Sequence, residues 1–449
     1  MIVSFGSADN GTFAPCGARG PKAEPSSVLR LSLIDCVIRT FGTYTVAHAP
    51  STLAVAVAAV SAETPRLEER EMTFYQRQGM LPPRRFTVLE RESGGYYHEE
   101  LMSSEGFSGA SSTLYRLNPP TRIRHVRDGG ATQPKFYDGV PDNMLFLAEQ
   151  VISSGDCRTA RVPLFGNDDV LYSVCRPTAA TPGFYRNGGA DELIFVARGA
   201  GILESAFGRL PYRERDLVVI PRGVTHRWVP DGQPQDMVVL ETTSPVGPPA
   251  RYRNSTGQLL GSAPYHERDI RAPELGEPAD EAGEYTIVVK AGGHAGEFVF
   301  DRHPFDVVGW DGYLYPYALN LDDFEPISGR VHPLPDQYQV FAARGVAVCA
   351  MVPHPNASDP RANPAQAHHM NVDYDELMYR FVKQENDPLS RTITLHPRSL
   401  AHGPKPGFDA MPISPFLDMW SYMVDTTQPL RVTVAAMDVR DDDYRSVWL

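Results

Sequence analysis

His369, Glu376 and His402 carry the strongest chemical signal in this chain: two imidazoles and a carboxylate, with a step of seven positions to the glutamate and 26 more to the final histidine. Neutral imidazoles paired with one carboxylate on a single face of a metal leave positions open for other ligands, an arrangement suited to iron(II) and oxygen chemistry. The spacing suits strands, because alternate residues of a strand share one face and a neighbouring strand can present the third ligand.

A second, altered copy of this pattern lies upstream. YRNGGADEL at 185–193 and HMNVDYDEL at 369–377 align at an offset of 184, matching Asn187 to Asn371, Asp191 to Asp375, Glu192 to Glu376 and Leu193 to Leu377. PRGVTH at 221–226 aligns with PRSLAH at 397–402 at an offset of 176, with Pro, Arg and His in register. Two matches in the same order predict a duplicated β domain. The upstream set is Tyr185, Glu192 and His226. Phenol is a poorer ligand for iron(II) than imidazole, so the first half is expected to hold no metal, and His226 reads as a hydrogen-bonded core histidine. His368 and His396 compete as ligands in the second half. The two offsets select His369 and His402 and leave the others a supporting or solvent-facing role.

The elements that must position these residues are short. Gly and Pro punctuate β-branched and aromatic runs at Leu193–Val196, Leu217–Ile220, Tyr285–Val288, Gln337–Phe341, Val346–Met351 and Leu430–Ala436. This spacing, with 40 prolines, predicts a mainly β protein of antiparallel barrels or sandwiches with few short helices. Residues 1–71 are rich in Ala, Ser, Gly and Thr without sustained periodicity and are expected to be poorly ordered, with a folded part, and a candidate translation start, at Met72. The duplication divides the remainder into a metal-free domain at 72–255 and a catalytic domain at 256–449.

Composition narrows the function classes. A formal charge of −13 disfavours nucleic acid and anionic membranes and turns the expectation toward small-molecule chemistry. The five cysteines are far apart and lack metal or redox spacing, so they read as unpaired thiols of a reducing cytoplasm. The apolar run TLAVAVAAV at 52–60 is too short to span a bilayer and too far from the N-terminus for a standard signal peptide.

The paired motifs resemble those of the cupins, small antiparallel β-barrels of jelly-roll type in which a His/Glu set is followed by a final His after a P-x-G-x-x-H turn. Arg215 stands where the second motif usually begins with Gly, and Ser399 replaces the turn Gly of the second half. A narrower resemblance comes from HPFDVVGWDGYLYPYALNLDDF at 303–324, with support from MTFYQRQGMLPPRRFT, EELMSSEGFSGASSTLYRLNPPT and FGRLPYRERDLVVIPRGVTHRW. These resemble the bacterial homogentisate 1,2-dioxygenase family, over about Met72 to Leu449. The resemblance implies Fe(2+) held by His369, Glu376 and His402, a proton acceptor at His332, and a substrate contact from His402. It also implies a small aromatic acid and O2 as partners, conversion of homogentisate to maleylacetoacetate, and a homo-oligomer, trimeric or hexameric. Two departures stand out. The family's HRN reads His369-Met370-Asn371, and the substrate tyrosine that follows the ligand glutamate is absent from VKQENDPL, with Tyr379 nearby. These keep a dioxygenase for gentisate or a related hydroquinone-type acid, and a non-catalytic ligand-binding bicupin, as alternative readings.

Overall fold

The computed structural model describes residues 74–327, 337–355, 368–381, 390–403 and 416–448. The chain divides into two units, Met1–Thr64 and Pro65–Leu449, and every described residue belongs to the second. Residues 1–71, His332, Cys16 and Cys36 lie outside the described residues. No helix among the described residues is long and apolar enough to cross a membrane.

The expected duplicated, mainly β cupin-type architecture is present, with one four-residue α-helix and a few 3-10 turns among the described residues. One sheet orders its strands Ile270–Arg271, Tyr317–Asn320, Asp216–Ile220, Asp191–Arg198, Asp236–Thr242, Val170–Cys175, Arg161–Gly166 and Arg431–Val432. Its counterpart orders Gln339–Ala343, Val346–Met351, Ser421–Thr426, Asp375–Arg380, Thr392–His396, Met144–Phe146 and Arg440–Asp441. The central strands read as continuous apolar runs, such as LIFVA at 193–197, because both faces are buried. One face of each sheet packs against the other sheet. Phe195 meets Phe381 at 4.6 Å and stacks on Tyr422 at 4.9 Å, and its side chain is fully buried.

The opposite face of each sheet carries the duplicated motif. Glu192 pairs across the ladder with Glu241, and Glu376 with Asp425, positions separated by the same 184 residues. The turns repeat as closely. Arg222 donates from its backbone N–H and Nε to Asp191 Oδ1 at 3.1 and 2.9 Å, and Arg398 does the same to Asp375 Oδ1 at 2.9 and 2.8 Å.

The two departures from the cupin motif fall on backbone that glycine favours. Arg215 has φ +68°, Arg391 in the second half has φ +56°, and Ser399 has φ +62° where its counterpart Gly223 has φ +84°. The turn thus keeps its shape although the side chain costs conformational energy there. Ser399 donates its backbone N–H to Asn371 O at 2.6 Å, while its hydroxyl reaches only Val372 O at 3.4 Å. A left-handed L-residue costs roughly 1–2 kcal/mol, against the roughly 0.5–1 kcal/mol that glycine loses in chain entropy. Ser399→Gly is therefore expected to raise the unfolding free energy by about 0.5–1 kcal/mol. Chemical denaturation measures this, and a lower midpoint would show that the hydroxyl contributes more than the strain costs.

Most strands fall where the periodicity places them. Gln337–Phe341 is shifted to Gln339–Ala343, and Leu430–Ala436 is corrected more substantially. Only Arg431–Val432 is strand, and Val434–Met437 is helical, because the Thr433 hydroxyl caps the turn by accepting from Ala436 N at 3.1 Å. A long hairpin, Ala282–Ala291 with His294–Arg302, turns through Gly292 and Gly293 at φ +57° and +78°. Cys157, Cys175 and Cys349 are buried, and none of the three is joined in a disulfide.

Candidate metal centre

Glu376 lies on the strand Asp375–Arg380, and period-two alternation puts Met378 and Arg380 on its face and Leu377 and Tyr379 on the other. His402 follows the turn after Thr392–His396, and an isolated antiparallel bridge joins it to His369. In that bridge each residue donates its backbone N–H to the other's carbonyl at 2.9 Å. His369, Glu376 and His402 bring one potential ligand atom each to within 4.8 Å of one another, and they form the one such His/Cys/Asp/Glu group among the described residues. The His369 and His402 rings lie 4.3 Å apart in a T-shaped arrangement.

The donor chemistry fits a divalent transition metal. His402 Nδ1 sits 3.2 Å from Leu400 O, and a carbonyl can only accept, so Nδ1 carries the proton and Nε2 presents its lone pair. That Nε2 is buried without a hydrogen-bond partner, 3.7 Å from Glu376 Oε2, too far for a hydrogen bond. A buried lone pair aimed at a buried carboxylate is costly unless something cationic lies between them.

His396, a competitor for a ligand position in the sequence, is placed differently. Its Nδ1 lies 3.1 Å from Glu376 Oε1 and its Nε2 lies 3.4 Å from Tyr444 OH, while its ring stacks on His402 at 4.0 Å. It fixes the rotation of the Glu376 carboxylate, turning Oε2 toward His402. His368 is exposed and lies outside the converging group. Asp425, across the ladder from Glu376, is buried with Oδ1 unpartnered.

Burial opposes ionisation of Glu376, but His396 and His402 beside it overcome that and hold its carboxyl well below the usual range. Burial likewise opposes charge on His402, and Glu376 outweighs it and raises its pKa. For His396 burial prevails and the pKa falls. Burial, with Glu376 adding to it, pushes the Asp425 carboxyl far up.

The floor beneath the triad is apolar and rich in sulfur. Tyr338, Ala347, Cys349, Met351 and Met423 form a buried cluster with Met378 and Met419 against it. The register Glu376↔Asp425 and Met378↔Met423 puts this cluster on the face that carries the triad. Tyr379 points away, donating its hydroxyl to Asp236 Oδ2 at 3.0 Å in the first half, so it does not stand in for the absent tyrosine. His402, named for substrate contact, has Nδ1 held by Leu400, Nε2 facing Glu376 and one ring face on His396, leaving only its remaining surface for a ligand.

The first half assembles the same cradle around different chemistry. Tyr185 and His226 lie 5.5 Å apart in a T-shaped pair, and His226 Nδ1 sits 3.1 Å from Val224 O. Its Nε2 is buried and unpartnered, 3.8 Å from Glu192 Oε2. Arg161, which sequence reasoning did not single out, donates Nη2 to Glu192 Oε2 at 2.9 Å and Nη1 to Oε1.

A family model described as "Homogentisate 1,2-dioxygenase N-terminal" matches residues 170–321. A protein of Saccharolobus solfataricus, provisionally named a dioxygenase, is 34% identical over 386 residues that make up 84% of this chain and 99% of that one. The homogentisate 1,2-dioxygenases of Bradyrhizobium diazoefficiens and Emericella nidulans are 27% and 31% identical, over 59% and 51% of this chain and 62% and 50% of theirs. Among solved structures, a cupin-2 domain protein of Shewanella frigidimarina aligns with 18% of this chain and 78% of its own at 15% identity and a TM-score of 0.17.

Proposed function

The chain belongs to the homogentisate 1,2-dioxygenase family, and from that premise we propose that it is an iron(II)-dependent dioxygenase that opens the ring of homogentisate with O2 to give maleylacetoacetate. The observation that carries the reading is the buried, unpartnered Nε2 of His402 facing the Glu376 carboxylate beside His369.

His369, Glu376 and His402 would hold the metal. Iron(II) there would supply a Lewis acid for a ring hydroxyl and a one-electron path between an electron-rich ring and dioxygen. The chain's own residues do the rest. His396 and Tyr444 fix the Glu376 carboxylate so that one oxygen stays turned toward His402. The thioether and thiol floor of Met378, Met423, Met351 and Cys349 excludes water beneath the site and offers an aromatic ring a polarizable surface. His332 accepts the proton of a ring hydroxyl as general base, a role suited to an imidazole near neutral pH. Both oxygen atoms of O2 enter the product, and the ring supplies all four electrons, so no outside reductant is needed.

Oxygen uptake by protein loaded with iron(II) tests this directly, with homogentisate, gentisate and other substituted hydroquinones offered in turn. Uptake with homogentisate and an absorbing ring-opened product is the expected result. Uptake with gentisate alone would move the substrate to a related hydroquinone acid, which the absent tyrosine makes the natural second reading. No uptake with any of them would sink ring cleavage.

A further inference from the structure

The two cradles differ most in what neutralises their glutamate. Arg161 is almost fully buried, grips both oxygens of Glu192 and sits with its guanidinium carbon 5.1 Å over the Tyr185 ring. Its Nη1 also lies 3.5 Å from Glu241 Oε1, and Lys290 Nζ donates to the two oxygens of that carboxylate at 2.8 and 2.6 Å. Asn187 Nδ2 bridges the pair, donating to Glu192 Oε1 and Glu241 Oε2 at 3.0 Å each. Two buried carboxylates are thus balanced by two cations of the chain itself. In the second half the residue 176 positions after Arg161 is Gln337, the same offset that relates His226 to His402 and Val170–Cys175 to Val346–Met351. Gln337 is neutral, and its amide nitrogen contacts His354 Nε2 at 3.3 Å.

We propose that Arg161 is the resident cation of the first cradle, seated where the second half holds its metal, and that Arg161 rather than Tyr185 keeps the first cradle free of metal. A guanidinium is planar, permanently charged and able to bind a carboxylate through two parallel hydrogen bonds, so it occupies the same side of Glu192 that a metal would use. Tyr185 is then a consequence of that seat, a ring that packs on the guanidinium face. The buried lone pair of His226 remains as the trace of a third ligand. The inference rests on the reading of the second cradle as a metal site.

Full-length variants loaded with cobalt(II), freed of loosely bound metal and measured for cobalt per chain, test it. Tyr185→His retains the Arg161–Glu192 pair and is expected to bind no more cobalt than the parent chain. A second equivalent in that single variant would overturn the proposal, because the tyrosine would then have been the obstacle. Arg161→Gln combined with Tyr185→His gives the first cradle the His/Glu/His set with a neutral glutamine at position 161, as at Gln337, and is expected to double the cobalt bound. A folded double variant with no gain would equally overturn it. If removal of Arg161 prevents folding, the single variant still decides. A parent chain without cobalt would sink the triad reading instead, and a gain confined to the double variant would leave the Arg161 proposal standing.

Discussion

Glu376→Gln is expected to strip the second cradle of its metal while leaving the fold in place. Glutamine keeps the shape of the side chain, and its oxygen can still accept from His396 Nδ1, now 3.1 Å from Glu376 Oε1. What disappears is the single anionic ligand of the triad. Removing that charge also relieves Asp425, the buried carboxyl across the ladder, so no large loss of stability should accompany the change. Loss of an outer hydrogen-bonding partner typically lowers metal affinity by roughly 10- to 100-fold, and loss of a charged ligand should exceed that. Metal analysis and oxygen uptake should fall together. A variant that retains both metal and activity would sink His369, Glu376 and His402 as the ligand set.

His332→Ala is expected to separate those two readouts. A general base assists proton transfer without holding the metal, and its removal commonly costs about 10²- to 10⁴-fold in rate. Metal content should match the parent chain while turnover with homogentisate falls by that order. Loss of metal together with turnover would make His332 a ligand or a scaffold residue instead, and unchanged turnover would remove it from the mechanism.

The converging triad was legible in the sequence because cupin-type strands place chemistry at fixed intervals, and the internal copy supplied a register in which His369 could be chosen over His368 and His402 over His396. The same register held more than was read from it. An offset of 184 also carries Glu241 onto Asp425, which locates the buried carboxyl beside Glu376, and alternation from Glu376 already puts Tyr379 on the opposite face. Arg161 was not legible. It lies 31 residues from Glu192 in a stretch without motif character, and only the pairing of its strand with Val170–Cys175 brings its side chain into the cradle. The helix at Val434–Met437 was missed for a local reason, since VTVAA has strand composition and the Thr433 cap decides otherwise.

The sheet order also bears on how such a chain can be made. Arg431–Val432 pairs with Arg161–Gly166 to complete one sheet, and Arg440–Asp441 pairs with Met144–Phe146 to complete the other. A ribosome releases the N-terminal cradle long before either closing strand exists. The two duplicated halves, although each carries its own motif, therefore cannot mature one after the other as beads on a string. Pairings of such long sequence separation are slow to form, and both sheets keep an open edge until the final residues emerge. Nascent chains of this protein should depend on protection of those edges late in synthesis, and truncation of the last twenty residues should damage the first cradle as well as the second.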